Sequence, residues 1–381
     1  MPYNFLSGLP IEEKLEWLVK RNVEFSELFC SPEEVLARAQ YVAKHPILKI
    51  IFKCMDGRMH IPVITKTPLG ILQPVRALGG RFDLGWPYLG QYVKNLVLAA
   101  IAKGNGSLVF VTYHFSKGDK HRGCAGFDYD LEAAFAYTKD FKSQVERVFG
   151  KKHTAVYPLI VGLETDSDSL IFHNNGDKLD LLDFVDKSEE EVLAAFKSLF
   201  SDMSKEMLND LMPLVYGNIQ HIIEIQKSAR QIIDVEHREF VVGLGTGFDW
   251  LHAPNTALLI GPWSPWLDND IRKAFSIIKS NMDAKRISDD GFVLMISSMW
   301  QDSSEKALVT EKVHFLKSFA TNILQTEFPE IASKMHCLPV IVEGSTRKFT
   351  KVEDSDSNHA DSPHESQQRH TASSSAEDEE A

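Results

Sequence analysis

Leu48-Lys-Ile-Ile-Phe-Lys-Cys-Met-Asp-Gly-Arg58 is the stretch that decides the reading of this chain. Leu48 to Phe52 is a short apolar run of the kind that forms a strand buried on both faces. A thiol, a carboxylate and a guanidinium follow at once, at Cys54, Asp56 and Arg58. A second run, Leu108-Val-Phe-Val-Thr112, leads in the same way to His114 and, further on, Cys124. Two soft sulfur ligands and an imidazole near neighbouring strand ends make a three-ligand metal site with one open position, the pattern of a hydrolytic or hydrating zinc centre.

Working outward, further strand-like runs occur at Ile71 to Ala77 and Tyr157 to Leu163, and Tyr88 to Ala102 has helical spacing. The amino-terminal segment is also helical, with Leu15, Trp17, Leu18 and Val19 in one piece and Val35, Leu36, Ala39 and Tyr41 in the next. Ser31-Pro-Glu-Glu34 between them reads as a helix start. Strands alternating with helices predict an α/β fold with a mainly parallel central sheet and flanking helices. Ligands of such sheets bind at the carboxyl ends of strands, where Cys54 and His114 fall.

The pattern then repeats in order. Phe240 to Phe248 lies over Ile50 to Arg58, Pro265 to Phe275 over Pro87 to Val97, Val293 to Ser297 over Leu108 to Thr112, and Leu338 to Val342 over Tyr157 to Val161. Four matches in one order predict a duplication, with Glu189 to Val235 as the entry helices of the second copy. In that copy Leu244, Thr246, Phe248, Met299 and Val309 stand at the positions of Cys54, Asp56, Arg58, His114 and Cys124. It reads as a metal-free half. The expected divisions are 1–185, a metal-binding catalytic repeat with amino-terminal helices; 186–351, a degenerate repeat; and 352–381, a disordered acidic tail.

Composition narrows the function. The chain has 381 residues, 44% hydrophobic and 25% charged, with a formal net charge of -12. Nine acids against Arg369 fall in the last thirty residues, so the body carries only -4. No basic footprint for nucleic acid is present. No apolar run approaches the roughly 20 residues of a membrane span, and Met1 to Ser7 lacks the basic and apolar regions of a secretory signal. The expectation is a cytoplasmic protein. Four scattered cysteines do not make a disulfide framework; Cys30 and Cys337 read as small buried apolar residues.

At the site, zinc is the default for mixed sulfur and nitrogen ligands, with cadmium also well suited to two thiolates. Asp56 is expected to accept a hydrogen bond from the nucleophile, and Arg58 to hold Asp56 ionised and directed. For the third ligand, His114 shares the sheet edge with Cys54, whereas His121 offers the compact H-x-x-C spacing to Cys124. Arg76-Ala-Leu-Gly-Gly80 supplies a strand end and two glycines suited to a close backbone approach.

Assembled, these residues resemble the beta-class carbonic anhydrases and their cadmium-type (zeta-class) relatives. The beta pattern runs C-x-D-x-R, R-N-x-G-N, then H-x-x-C-G. Here it is similar to Cys54-Met-Asp-Gly-Arg58, Arg76 to Gly80, and either His121 or His114 with Cys124. Gly57 and the wide spacing of His114 from Cys124 are closer to the cadmium type, which favours His114. Ala77, Gly80 and Ala125 depart from the beta pattern, and its bicarbonate-binding Gln has no counterpart. The resemblance implies reversible hydration of CO2 to bicarbonate by a metal-bound hydroxide, on Zn2+ or Cd2+, with Asp56 and Arg58 as catalytic residues. It also implies a tandem pseudo-dimer in one chain, with further homo-oligomerisation open. The other readings are a related CS2/COS hydrolase and an inactive metal-binding scaffold protein.

Overall fold

The computed structural model describes residues 3–228, 235–251 and 253–353; the expected tail, apart from its first two residues, lies outside them. Eleven strands among these residues form two sheets. In the first, β1 (Leu48–Cys54), β2 (Leu72–Ala77), β3 (Ser107–Phe115), β4 (Val156–Glu164), β5 (Ser169–Asn174) and β6 (Asp177–Asp180) lie in the order β2-β1-β3-β4-β5-β6. Its first four strands are parallel and β5 and β6 are antiparallel additions. In the second, β7 (Val241–Gly245), β8 (Ala257–Ile260), β9 (Phe292–Trp300), β10 (Met335–Glu343) and β11 (Phe349–Lys351) lie in the order β11-β10-β9-β7-β8. Again the first four are parallel and β11 is antiparallel. The strand order β2-β1-β3-β4-β5 thus has its counterpart in β8-β7-β9-β10-β11. The α/β expectation holds, as two mostly parallel sheets flanked by helices rather than one.

The helices are α1 (Ile11–Cys30), α2 (Pro32–Lys44), α3 (Ile61–Ile64), α4 (Pro87–Ala102), α5 (Leu131–Phe149), α6 (Glu189–Leu199), α7 (Lys205–Ser228), α8 (Leu267–Asp283), α9 (Lys306–Glu327) and α10 (Pro329–Ala332). Ser31 caps α2 by accepting from the Glu34 amide. On the first sheet, Leu89, Val93, Phe141 and Val145 of α4 and α5 cover one face, against Ile50, Phe52 and Val109. The other face carries Ile51, Leu108 and Leu159 into a core that continues without a break to Leu258, Ile271 and Ile296 of the second half. Both faces are covered, which is why these strands are apolar without alternation.

The entry helices pack on the sheets of the opposite halves. Asp210 of α7, before the second sheet in sequence, accepts from the Ile47 amide and from Lys49 Nζ, each at 2.7 Å, at the root of β1. Asn218 of α7 donates to Ile64 and Asp168 and accepts from the Leu170 amide. Reciprocally, the amide of Ile11 in α1 donates to Asp290 at 2.8 Å, Lys14 bonds Ser288, and Asn22 accepts from the Phe349 amide and donates to the Arg347 carbonyl. Edge strands meet at the seam: the Leu259 amide bonds the Met55 carbonyl at 3.0 Å, Gly261 bonds Arg76 at 2.9 Å and Asn255 bonds Gly57 at 2.9 Å.

Cys30 is exposed and Cys337 half-buried. The apolar-core expectation fails for both. Cys30 closes α1 at the surface, and Cys337 lies near the start of β10, whose first three residues are only half covered.

Candidate metal centre

Cys54 is the last residue of β1, and the amide of Gly79, from the turn after β2, points at its Sγ from 3.3 Å. Gly79 holds φ of +67°, and a Cβ there would lie 2.9 Å from the Phe127 ring. The residue is glycine for both reasons. His114 is the penultimate residue of β3, and Cys124 begins the short turn of helix at Ala125–Phe127. The ligand atoms of Cys54, His114 and Cys124 all lie within 4.8 Å of one another, and each residue is at most 4% exposed. The two sulfurs are 4.0 Å apart.

His121, the compact-spacing alternative, does not join this group. It lies on an exposed turn, its amide bonded to Asp119 and its ring edge-on to Tyr129. The excursion from Ser116 to Gly123 is pinned by Asp166, which accepts from Ser116 Oγ, the Gly118 amide and Arg122.

The donor set fits a soft divalent metal. Both ring nitrogens of His114 are buried and neither has a hydrogen-bond partner among the described residues, an arrangement that costs free energy unless something else satisfies them. The thiols agree. The hydrogen bond from Cys124 holds the Cys54 thiol well below its usual range against the opposing effect of burial, with His114 adding to it. Cys124 is pushed up by its hydrogen bond to Cys54 and by burial. Two sulfurs and an imidazole without a hydrogen-bond partner among the described residues are thus gathered for a cation.

Asp56 and Arg58 form a closed pair beside these ligands. Arg58 Nε donates to Asp56 Oδ1 at 3.0 Å, Nη2 to Oδ2 at 2.7 Å, and the Arg58 amide to Oδ1 at 2.8 Å. Burial would push the Asp56 carboxyl up; Arg58, His114 and His237 outweigh it and hold it well below the carboxylate range. Asp56 Oδ2 is 3.8 Å from His114 Nε2.

The second half completes the site with two residues that the sequence reading passed over. His237 Nε2 lies 3.0 Å from Arg58 Nη2 and 3.8 Å from Asp56 Oδ2, and its Nδ1 is 3.0 Å from both oxygens of buried Glu239. Because Arg58 can only donate, the bonding pattern assigns Nε2 as acceptor and leaves Nδ1–H to donate to Glu239. Asp56, His237 and Glu239 also cluster closely enough to hold a cation. The Arg58 guanidinium already takes that role, bonded to both Asp56 and His237. Gly57 explains itself here: a Cβ would lie 2.8 Å from the Ala257 carbonyl and 3.1 Å from Glu239 Cγ, so the seam needs glycine. His237-Arg-Glu239 directly before a strand was the available signal.

The match to known families follows this geometry. Residues 49–213 match the family model described as the carboxysome shell carbonic anhydrase, catalytic domain. Over this segment the chain is similar to the carbonic anhydrases. The matched carbonic anhydrase segment runs from β1 into α7, so it takes in Cys54, Asp56, Arg58, His114 and Cys124 and stops short of His237 and Glu239. A comparison with curated proteins found no match. No helix among the described residues is long and apolar enough to cross a membrane.

Proposed function

We propose that the chain catalyses the reversible hydration of CO2 to bicarbonate, with one divalent metal, zinc or cadmium, held by Cys54, His114 and Cys124. The observation that carries this is His114, buried with two unpartnered ring nitrogens between two thiols, one of them depressed toward thiolate. A divalent metal bound there supplies Lewis acidity, which makes water a nucleophile near neutral pH. The protein groups do the rest. Arg58 engages both oxygens of Asp56, which keeps the carboxylate an acceptor and not a fourth ligand. Asp56 Oδ2, ionised and facing His114, orients the nucleophile by accepting its proton or hydrogen bond. His237, the partly open member of the network with its side chain 14% exposed against 0% for Glu239, takes the proton at Nε2 as that nitrogen gives up its bond from Arg58, and Glu239 stabilises the resulting cation through Nδ1–H.

An inactive scaffold has no use for a buried carboxylate and guanidinium paired beside the thiols, and this favours the enzyme. The shared strand order of the two sheets, and the packing of α1 and α7 on opposite halves, support a tandem pseudo-dimer in which the second copy has lost its ligands and kept its contacts. Exchange of labelled oxygen between bicarbonate and water tests the activity. Full-length protein loaded with zinc or cadmium is expected to speed the exchange, and the Cys54→Ser protein to leave it at the buffer rate. No acceleration with full metal occupancy would contradict the proposal.

A further inference from the structure

The second sheet has its own cleft at the carboxyl ends of β7 and β9, lined there by Gly245, Thr246 and Met299. It has two connected lobes that share Tyr92, Gly245, Thr246, Trp263 and Met299. The larger is about 460 Å³ and the smaller about 90 Å³. Arg76 lines the small lobe, and its buried Nε has no hydrogen-bond partner among the described residues. In the large lobe the buried Ser297 Oγ is likewise unpartnered. Lys312 adds a further cation at the rim of the large lobe. Among the described residues lining the cleft, Asp249 is the one acid, and Arg347 Nε holds it at 2.6 Å. Trp263 forms an aromatic wall with Tyr92, stacked at 4.0 Å, and Tyr88, at 5.0 Å.

We propose that this cleft binds a small aromatic oxyanion, its acidic head on Arg76 and its planar body along Tyr92 and Trp263. A guanidinium with a free Nε–H presents parallel donors to a carboxylate or phosphate. A volume of this size with apolar aromatic walls and a few fixed polar groups is that of a small-molecule site. The unpartnered groups call for an acceptor, and the charges lining the cleft decide its sign. Buried donors without acceptors are costly, and Arg76 and Lys312, uncompensated once Asp249 is held by Arg347, favour an anionic acceptor over a neutral one. The inference is independent of whether the Cys54 centre hydrates CO2.

The test is calorimetric titration of the full-length protein with benzoate and with phenyl phosphate, with benzamide as the neutral isostere and inorganic phosphate as the head alone. Saturable one-to-one binding of at least one aryl anion is expected, with benzamide and inorganic phosphate at least 10-fold weaker. The Cys54→Ser protein should bind the anion unchanged, which separates this cleft from the metal centre. Arg76→Gln should weaken binding at least 10-fold. Should Arg76→Gln fail to fold, Thr246→Asp keeps an acceptor for the Met299 amide, adds a negative charge to the cleft, and should abolish binding. Absence of saturable binding by both aryl anions, unchanged affinity in Arg76→Gln or Thr246→Asp, or loss of binding in Cys54→Ser would overturn the proposal.

Discussion

Arg58 closes on both oxygens of Asp56, at 3.0 and 2.7 Å, with its own side chain 1% exposed and that of Asp56 5%. A pair this deeply buried is costly to break, because removing one partner strands the other charge. Arg58→Ala leaves Asp56 and Glu239 as two buried carboxylates. The variant should retain metal, lose about 3–5 kcal/mol of stability in denaturant unfolding, and lose about 10²–10⁴-fold in activity as Asp56 leaves its acceptor position. Wild-type turnover in Arg58→Ala would remove the pair from the mechanism.

Metal content separates the two histidines. His114→Ala should purify without metal, whereas His121→Ala, altering an exposed ring against Tyr129, should keep it and turn over at nearly the wild-type rate. Wild type should hold one equivalent, since Leu244, Met299 and Val309 offer no ligands in the second half. Two equivalents by elemental analysis would contradict that count.

His237 links the pair to the second half. His237→Ala should slow kcat about 10–100-fold, the usual cost of losing a group just behind a metal centre, while kcat/KM changes little and added imidazole restores turnover. A matched fall in both constants without rescue would assign His237 to binding or structure rather than to proton transfer.

The depressed carboxyls give stability a pH dependence of definite sign. Asp56 and Glu239 are both held below their ordinary values, Glu239 by His237 against the effect of burial. Their stabilising contribution is therefore full above the unfolded carboxyl range, about pH 4, and is lost as pH falls through the folded values. The stability gap between wild type and Asp56→Asn should be widest near neutrality and shrink on acidification below about pH 4. A gap that widens with acid would reverse the assignment.

Much of this architecture was legible in the sequence because parallel strands covered on both faces are continuous apolar runs. Ile51, Val109 and Ile160 announce their strands without any partner being known. Cys54 and His114 were legible for the same reason, since each closes such a run. Packing across the chain was not. His237 reaches Arg58 from 179 positions away, and a histidine two residues from a glutamate has no local pattern to distinguish it. The reciprocal packing of α1 and α7 was equally hidden: amphipathic spacing says that a helix has a buried face, not which sheet it faces. Cys30 and Cys337 misled because cysteine is usually buried, whereas their positions follow from element ends that composition does not mark.

Stopped-flow CO2 hydration by the full-length, metal-loaded chain, run beside Cys54→Ser, tests the central claim most directly. Hydration well above the buffer rate in the wild type, falling to the buffer rate in Cys54→Ser, is the predicted result. A fully metal-loaded wild type that hydrates CO2 no faster than buffer would contradict the account.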